Sequence, residues 1–490
     1  MSSQKLGYSL IGIGVFIILL MLLADTIGLG HGGIQAAQLL GVEIGLGTAL
    51  LGYFLTILFS EKIQAGEGLY AWVERLLASP VTAIVIGILV AFILFSIVPM
   101  FFTSDLRFQY FYRYLPDKYP IGLDLQTLLN RVKTWFEIGT PYPGDVPQFY
   151  PPLTYMLFAP LTMLSYRAAY ATMTFITLLS YIVLTLLLPI WIAKRNYWVI
   201  FLLFALGLFS YGFQFELERG QYNVLTFLLC ILAIYIFHFH HKFRYIAYLL
   251  FSVAIQLKVF PAIFIFMFIK DWRDWKNNIK RFVGLGLFNV VLLFILGYRV
   301  VFDFIHAITT QVVTPSWNWN GNHSVQAFVF NLMKDGYGLI RPEVLPSLSK
   351  FSSLITVLFM AIFALCLVTL LVSAYRFNEN GLNPYLLLAC TIGALIIPTS
   401  NDYTLSFLVA PVAIFFASIS MANAFKTKYL ANVLVVIASF AFCSTLFPFK
   451  YKPYFLNNNF PALFLILVSI TLLYFLRNRN VEPEALVENP

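Results

Sequence analysis

The sequence has very little charge. Asp, Glu, Lys and Arg make up 11% of its 490 residues, whereas 60% of the residues are hydrophobic and the mean hydropathy is +0.83. A soluble core of this length could not hide so much apolar side chain. Because backbone polar groups in lipid need internal partners, the composition predicts an all-α, polytopic membrane protein.

Cysteine is also scarce. Cys230, Cys366, Cys390 and Cys443 fall inside apolar runs, where small-residue packing is more common than a disulfide framework or a zinc site. The sequence has no HExxH or GxSxG pattern, no Gly-rich nucleotide loop, and no paired-aspartate metal motif in its polar loops. It therefore gives no support for a cytosolic nucleotide-dependent enzyme, and we predict neither a cofactor nor a metal site.

Long apolar runs are abundant. Most could cross ~30 Å of hydrocarbon at ~1.5 Å per residue, so we predict about twelve spanning helices. The runs are 7–24, 36–60, 80–102, 166–192, 197–215, 221–239, 281–302, 349–375, 382–398, 402–422, 430–446 and 460–477. No small-residue cleavage site follows the first run, which we interpret as a retained helix.

The net charge of +9 would suggest nucleic acid in a soluble protein, but here the basic residues concentrate in short loops. Such loops are typically cytoplasmic, so we predict no nucleic-acid partner, a bacterial plasma-membrane location and two cytoplasmic termini. The larger polar loops then share the extracytoplasmic face: 103–152, 216–221, 303–348, 399–402 and 447–459. We divide the chain into two additional N-terminal helices (1–60), one membrane domain (61–477) and a short cytoplasmic tail (478–490).

Residues 244–269 are apolar and about one span long, yet basic clusters flank both ends. A single crossing would put one cluster on the wrong side of the membrane. Pro261 removes an amide donor and disfavours helix in the residue before it. We therefore predict a non-crossing hairpin of two half-helices, broken around Lys258 and Pro261.

Asp124 opens a stretch with apolar residues at helical spacing, which predicts an amphipathic helix on the outer surface. Spacing alone leaves two roles open for Asp124, a helix N-cap or a functional carboxylate. Residues 150–164 are apolar but too short to span, so we expect an interfacial or re-entrant helix that starts near Pro151 and Pro152.

Other polar residues interrupt the apolar sequence at the same predicted face. Lys258 near the middle of an apolar segment needs a partner or a wet cavity, and a phosphate would suit it. Arg219, Gln221 and Asn223 cluster in "ELERGQYNVL", and "SWNWNGNHSVQ" mixes aromatic rings with amides that could stack on a sugar. The remaining substrate-binding candidates are Tyr150, Asn322, His323, Ser324 and Asp402.

Taken in order, these elements resemble glycosyltransferase family 87, polyprenyl-phosphate-dependent enzymes of the GT-C superfamily. The resemblance rests on Asp124, "GTPY" at 139–142, "FYPPLTYMLFAPL" at 149–161, "RGQYNVL" at 219–225, "AIQLKVFPAIF" at 254–264, "NHSV" at 322–325 and "PTSNDY" at 398–403. It implies a GT-C-like fold and a general base at Asp124. It also implies that Lys258 lies near the donor phosphate, with Arg219 as a second candidate cation there.

The resemblance thus predicts a membrane enzyme that moves a hexose or pentose from a polyprenyl-phosphate donor, with inversion, to a glycolipid or glycan acceptor. Two alternatives stay open. A flippase or transporter of lipid-linked sugars would also have intramembrane charges and broken helices. An O-antigen ligase or polymerase would share the outer loops but use a lipid-diphosphate donor.

Overall fold

The computed structural model describes residues 3–24, 26–28, 69–94, 121–143, 150–311, 321–335, 343–377, 381–396, 400–418, 429–446 and 458–478, with isolated positions between 38 and 56. Within these residues the chain is helical and contains no β-strand, only an isolated bridge between Asn322 and Asn401. The loop segments 103–120, 144–149, 312–320 and 447–457 lie outside the described residues, as does most of the predicted run 36–60.

The described helices follow one another in this order. They are α1 (Ser3–Leu22), α2 (Leu69–Ala78), α3 (Pro80–Phe92), α4 (Leu123–Ile138), α5 (Pro152–Phe158), α6 (Tyr166–Ile182), α7 (Leu188–Ala193), α8 (Tyr197–Phe209), α9 (Tyr211–Arg219), α10 (Asn223–Phe239), α11 (Arg244–Leu257), α12 (Trp275–Leu293), α13 (Tyr298–Gln311), α14 (Val325–Asp335), α15 (Leu345–Ser349), α16 (Ser352–Phe377), α17 (Pro384–Leu395), α18 (Val409–Ser418), α19 (Tyr429–Leu446) and α20 (Phe460–Asn478). Short 3₁₀ helices at Ala159–Met163, His241–Phe243, Phe260–Phe268, Phe294–Leu296 and Asp402–Leu408, and a π-helical turn at Val183–Leu187, connect some of them.

Several described helices are long and apolar enough to cross a membrane. Four qualify on their own: Lys5–Leu22, Tyr166–Ala193, Trp275–Leu296 and Ser352–Phe377. The number becomes six if the bent pairs Ala71–Ala78 with Pro80–Phe92 and Tyr197–Phe209 with Tyr211–Arg219 each count as one span. Shorter apolar helices accompany them. The chain is therefore a polytopic helical membrane protein, as predicted from composition.

The helices divide into an inner set and an outer set. Every residue of α17 after Pro384 and nearly every residue of α18 is buried, and α10 is buried over most of its length. In contrast, only 6% of the apolar window in Trp275–Leu296 and 11% of that in Ser352–Phe377 are buried. Apolar side chains on the outer set can face lipid without cost, whereas the inner set is held by packing.

The predicted outer helix forms as α4 and packs through its apolar stripe. Leu125, Leu128, Leu129 and Val132 are buried in a cluster separate from the main core. Phe136 is the exception, since it is 61% exposed and stacks on Trp135. The predicted interfacial helix also forms, as α5 beginning at Pro152 and continuing into 3₁₀ structure.

The start of α4 docks against the turn between α9 and α10 through two glycines. Gly122 and Gly220 both have positive φ, 70° and 63°. A Cβ built on Gly220 would lie 3.2 Å from the Cα of Gly122 and 2.9 Å from the Cβ of Leu125. The Gly122 amide donates to the Glu218 carbonyl at 2.8 Å. Only residues without a side chain allow the two backbones to meet this closely.

Two tyrosines one turn apart on α6 hold both sides of this contact. The Tyr166 hydroxyl donates to the carbonyls of Ile121 and Gly122, the latter at 3.0 Å. The Tyr170 hydroxyl donates to the Leu217 carbonyl at 2.8 Å. Helix α6 therefore fixes the positions of Asp124 and of the α9–α10 turn relative to each other.

The predicted hairpin at 244–269 is observed. Helix α11 ends at Leu257, Lys258 has extended backbone, and 3₁₀ structure runs from Phe260 to Phe268. Its arms, ~21 Å of α-helix and ~18 Å of 3₁₀ helix, are similar in length. Consequently Lys270 returns to within 3.2 Å of His241, at the start of α11.

Helix α5 stabilises the tip of this hairpin. The Thr154 hydroxyl lies 2.8 Å from the carbonyl of Gln256 and 3.2 Å from that of Leu257. Carbonyls at a helix end have no partner within the helix, so a side-chain donor there satisfies them. The break that presents Lys258 is thereby built into the packing of α5 on α11.

The glycine contact gives a prediction with an internal control. Gly122→Ala forces an alanine into the left-handed backbone region, which costs about 1 to 2 kcal/mol. It also places a Cβ 2.5 Å from the Tyr166 hydroxyl and 2.6 Å from the Tyr170 ring. Gly139→Ala at the other end of α4 has the same backbone cost (φ 82°) but no neighbour within 4 Å. We expect G122A to lower the thermal unfolding midpoint of the purified protein clearly more than G139A. Equal shifts would contradict the close contact.

Candidate active site

Asp124 is the second residue of α4, and its carboxylate points to the α9–α10 turn. Gly122 occupies the N-cap position of α4 and has no side chain that could cap it. The N-cap role considered for Asp124 is therefore wrong. Arg219 donates to it twice, Nη2 to Oδ1 at 2.7 Å and Nε to Oδ2 at 3.2 Å. Gln221 Nε2 donates to Oδ2 at 2.5 Å. Asp124 is thus a buried carboxylate in a bidentate ion pair.

Gln221 joins this ion pair to Lys258. The Lys258 Nζ donates to Gln221 Oε1 at 2.8 Å, so one amide contacts the carboxylate through its nitrogen and the ammonium through its oxygen. This arrangement fixes the orientation of the amide, because only its nitrogen can donate to a carboxylate. Residues predicted from separate sequence motifs therefore form one hydrogen-bonded chain.

Three tyrosine rings surround the Lys258 ammonium. Its Nζ lies 4.8 Å from the ring centroid of Tyr222, 5.1 Å from that of Tyr150 and 5.8 Å from that of Tyr403. Cation–π attraction stabilises the ammonium in this partly buried position. The backbone carbonyl of Tyr150 is held in turn by the Tyr142 hydroxyl at 2.6 Å.

Burial and charge act on the ionisable groups of this cage. Burial lowers the pKa of the Lys258 ammonium, while the carboxylates of Glu216 and Asp124 act in the opposite direction. Burial raises the pKa of the Tyr150 hydroxyl well above its usual range, and Asp124 adds to the effect. Tyr150 therefore stays protonated and keeps a hydroxyl that can donate a hydrogen bond.

Glu216 supplies a second carboxylate beneath the cluster. It is fully buried and accepts from the Val224 amide at 3.0 Å and from Asn223 Nδ2 at 2.7 Å. A carboxylate at the start of α10 is favoured by the free amides and the helix dipole there. Asn223 lies 3.4 Å from Gln221 Oε1 as well, so this substrate-binding candidate also supports the hydrogen-bonded chain.

The predicted residues Asn322, His323 and Ser324 form a buried connection between three segments. Ser324 Oγ caps α14 by accepting from Ala327, and the carbonyl of Asn322 accepts from Asn458 Nδ2 at 2.7 Å. The His323 amide donates to the Ser400 carbonyl at 2.7 Å. The side chains of all three residues are at most 1% exposed, so their geometry indicates that they hold the neighbouring segments together.

His323 also lies against Asp402, without hydrogen-bond geometry between the two side chains. Its Nδ1 accepts from the Asn459 amide at 3.2 Å, which leaves the proton of the neutral ring on Nε2. Nε2 lies 2.7 Å from Asp402 Oδ1. Asp402 is the more accessible partner, with a side chain 13% exposed against 0% for His323. Of the two, Asp402 is the residue that can reach a ligand.

Tyr403 connects Asp402 to the Asp124 cluster. It follows Asp402 in the chain, contributes to the cage around Lys258, and lies 5.7 Å from the ring of Phe215 on α9. The described candidates therefore share one region, at the start of α4, the end of α9 and the start of α10. Trp317 and Trp319 of the same loop lie outside the described residues.

Sequence reasoning did not assign roles to Glu216, Tyr222 and Tyr403, although each lies inside a motif it singled out. The roles went to polar and charged neighbours of these residues. A buried capping residue, or an aromatic ring beside a cation, leaves no periodic pattern in the sequence. The two docking glycines were missed for the same reason. "RG" before "QYN" is a common C-terminal helix signal, and only the packing reveals what meets it.

The buried Glu216 carboxylate can be tested directly. Glu216→Gln keeps the shape but faces the Val224 amide and the Asn223 amide with a group that has only one acceptor oxygen. We expect a loss of about 1 to 3 kcal/mol of stability, measured as a lower thermal unfolding midpoint in detergent. Glu137→Gln, an exposed change on α4, is the matched control and should leave the midpoint unchanged. A midpoint for E216Q equal to wild type would contradict the role assigned to Glu216.

Comparison with known proteins identifies the family of the chain. A family model described as glycosyltransferase family 87 matches residues 149–411, more than half of the chain. This stretch contains the α9–α10 turn, Lys258 and Asp402, and it begins after Asp124. No curated protein and no solved structure matches the chain. The chain belongs to glycosyltransferase family 87.

Proposed function

We propose that the protein transfers a hexose or pentose from a polyprenyl-phosphate donor to a lipid or polysaccharide acceptor, with inversion of the anomeric carbon. Family membership supports glycosyl transfer, and the observation that carries the finer proposal is the chain Asp124–Gln221–Lys258 with Arg219 at its end. A carboxylate and two cations joined in one hydrogen-bonded chain support a site for a single phosphate-linked substrate.

We also infer a GT-C-like architecture with about twelve spans, both termini in the cytoplasm, and the site at the extracytoplasmic face of a bacterial plasma membrane. The supporting observation is the hairpin at 244–269, whose ends return to the same side. With this segment not crossing, the basic loops fall on the side opposite to the site.

A phosphate-linked donor suits the charges of the site. The sugar arrives already activated on its lipid, so the reaction needs no nucleotide site. As the bond between the anomeric carbon and the phosphate oxygen breaks, the phosphate leaves with the electron pair. Lys258 and Arg219 would stabilise that developing charge. Arg219 is suited to this role because its side chain remains 32% exposed while it holds Asp124.

Asp124 would serve as the general base. It takes the proton of the acceptor hydroxyl while the acceptor oxygen attacks the anomeric carbon from the face opposite to the leaving phosphate. Its two oxygens already accept three hydrogen bonds, which occupy the positions that the proton of the acceptor hydroxyl would need. A donor phosphate that competes for Arg219 and Lys258 would release Asp124, so base activation would follow donor binding.

The remaining candidates are assigned by their position relative to the Asp124 cluster. Tyr150, Gln221, Asn223 and Asp402 lie in or beside the cluster and would contact the sugar or the acceptor. The buried Asn322, His323 and Ser324 would act on the substrate through the position of Asp402.

The general base is tested by Asp124→Asn. Asparagine retains the size and one acceptor oxygen but cannot take a proton, so we expect sugar transfer to fall by about 10²- to 10⁴-fold. The measurement is transfer from labelled polyprenyl-phosphate mannose, arabinose, glucose and galactose to a host lipid extract, with purified protein that still shows a cooperative thermal unfolding transition.

Glu137→Gln on the same helix is the control for that experiment and should transfer at the wild-type rate. Retained activity in D124N would reject the base role. Movement of intact donor across the membrane without sugar release would instead indicate a flippase, and release of a lipid diphosphate would indicate a ligase or polymerase.

The phosphate contact is tested by Lys258→Met, which keeps the length of the side chain but removes the charge. We expect kcat/KM for the donor to fall about 10²- to 10³-fold, and Lys258→Arg to recover part of the loss because the tyrosine cage accepts either cation. Lys133→Met, an exposed change on α4, is the control. If the K258M enzyme had the wild-type kcat/KM, Lys258 would have no role in binding the donor phosphate.

A further inference from the structure

A second cluster of cations lies at the other end of α10. His241 stands between two basic side chains, with its Nδ1 3.2 Å from Arg244 Nη2 and its Nε2 3.2 Å from Lys270 Nζ. Lys270 belongs to the returning arm of the hairpin, so the cluster exists only because the hairpin closes. The active-site residues do not contribute to it.

The His241 ring cannot accept a hydrogen bond from both Arg244 and Lys270. The Lys270 ammonium lowers the pKa of His241, and the Arg244 guanidinium adds to the effect, so the imidazole is neutral at pH 7. A neutral imidazole has one lone pair and one N–H. It can accept from one of the two cations only, and it presents a donor to the other.

No neighbouring carboxylate compensates. Among the described residues, neither Arg244 nor Lys270 has an ion-pair partner, and the buried Nε of Arg244 has no hydrogen-bond partner. The nearest acids in sequence are engaged locally: Asp271 accepts from the Arg273 amide at 2.9 Å, and Asp274 caps α12. Within the described part of the chain, the cluster therefore carries two positive charges without an anion.

A third cation lies behind the first two and is satisfied by neutral groups. Arg281 donates to the Phe268 carbonyl at 2.6 Å, to Asn278 Oδ1 at 2.9 Å and to the Tyr248 hydroxyl at 3.1 Å. Its guanidinium and that of Arg244 lie 5.0 and 5.4 Å from the ring of Phe237. The ring holds two like charges near each other, which strengthens the attraction for an anion.

The cluster is placed where a lipid headgroup would be. Helix α10 is ~25 Å long, so its end at Phe239 lies close to the membrane boundary opposite to the site. Tyr245, next to Arg244 in the chain, and Trp275, the first residue of α12, are 86% and 60% exposed, a pattern typical of aromatic residues at a membrane interface.

We propose that His241, Arg244 and Lys270 bind the phosphate of an anionic membrane lipid, at the face opposite to the active site. The phosphate oxygens accept from the guanidinium, the ammonium and the imidazole N–H together, which resolves the conflict between the two cations. A lipid bound here would join the start of α11 to the end of the returning arm and hold the hairpin closed.

The test is native mass spectrometry of the full-length protein with phosphatidylglycerol and with phosphatidylcholine of identical acyl chains. Wild type should retain phosphatidylglycerol preferentially. Lys270→Gln, an exposed change, should weaken that retention about fivefold, and the double variant with Arg244→Gln should weaken it further. Lys280→Gln, an exposed change at the same interface, should retain the lipid as wild type does.

Equal retention of both lipids by wild type, or equal loss in K280Q and K270Q, would overturn the proposal, since either indicates general attraction to negative charge. Displacement of the lipid by millimolar inorganic phosphate would also overturn it, because the ligand would then be a free anion. The binding readout is independent of sugar transfer, so its failure would leave the proposed activity untouched.

Discussion

The ion pair between Asp124 and Arg219 is the interaction on which the site depends. It joins the start of α4 to the turn between α9 and α10, and these segments are far apart in sequence. Bidentate geometry fixes direction as well as distance, and the carboxylate, Gln221 and Lys258 form one hydrogen-bonded chain. The glycines at 122 and 220 allow the approach, and the tyrosines at 166 and 170 fix it.

Charge balance explains why such a polar cluster can persist in an apolar protein. Two carboxylates, Asp124 and Glu216, accompany two cations, Arg219 and Lys258, so the cluster is formally neutral. Neutrality and extensive hydrogen bonding limit the cost of burial. The same balance means that an incoming phosphate disturbs the cluster, because it adds negative charge to cations that are already shared.

Much of the fold was predictable because membrane burial imposes simple patterns. Hydropathy identified α1, α6, α12 and α16, helical spacing identified α4, and basic clusters at both ends of 244–269 predicted the hairpin and its break at Lys258. Individual contacts were less accessible. Phe136 continues the apolar stripe in sequence yet is exposed, and His323, whose neighbouring rings and amides predicted a sugar contact, is completely buried. Spacing reports which residues share a face and carries no information on what packs against that face.

The sequence by itself determined that this is a helical membrane protein, that its polar motifs fall at helix ends, and that Asp124, Arg219, Gln221 and Lys258 are exceptional in an apolar chain. Those conclusions follow from the cost of placing polar groups in lipid, which acts on each segment separately. Only the tertiary structure decided that Arg219 forms an ion pair with Asp124 and that three tyrosine rings surround Lys258. The contact between His323 and Asp402 was likewise visible only there. Each of these depends on distances between segments remote in sequence, and such distances are set by packing.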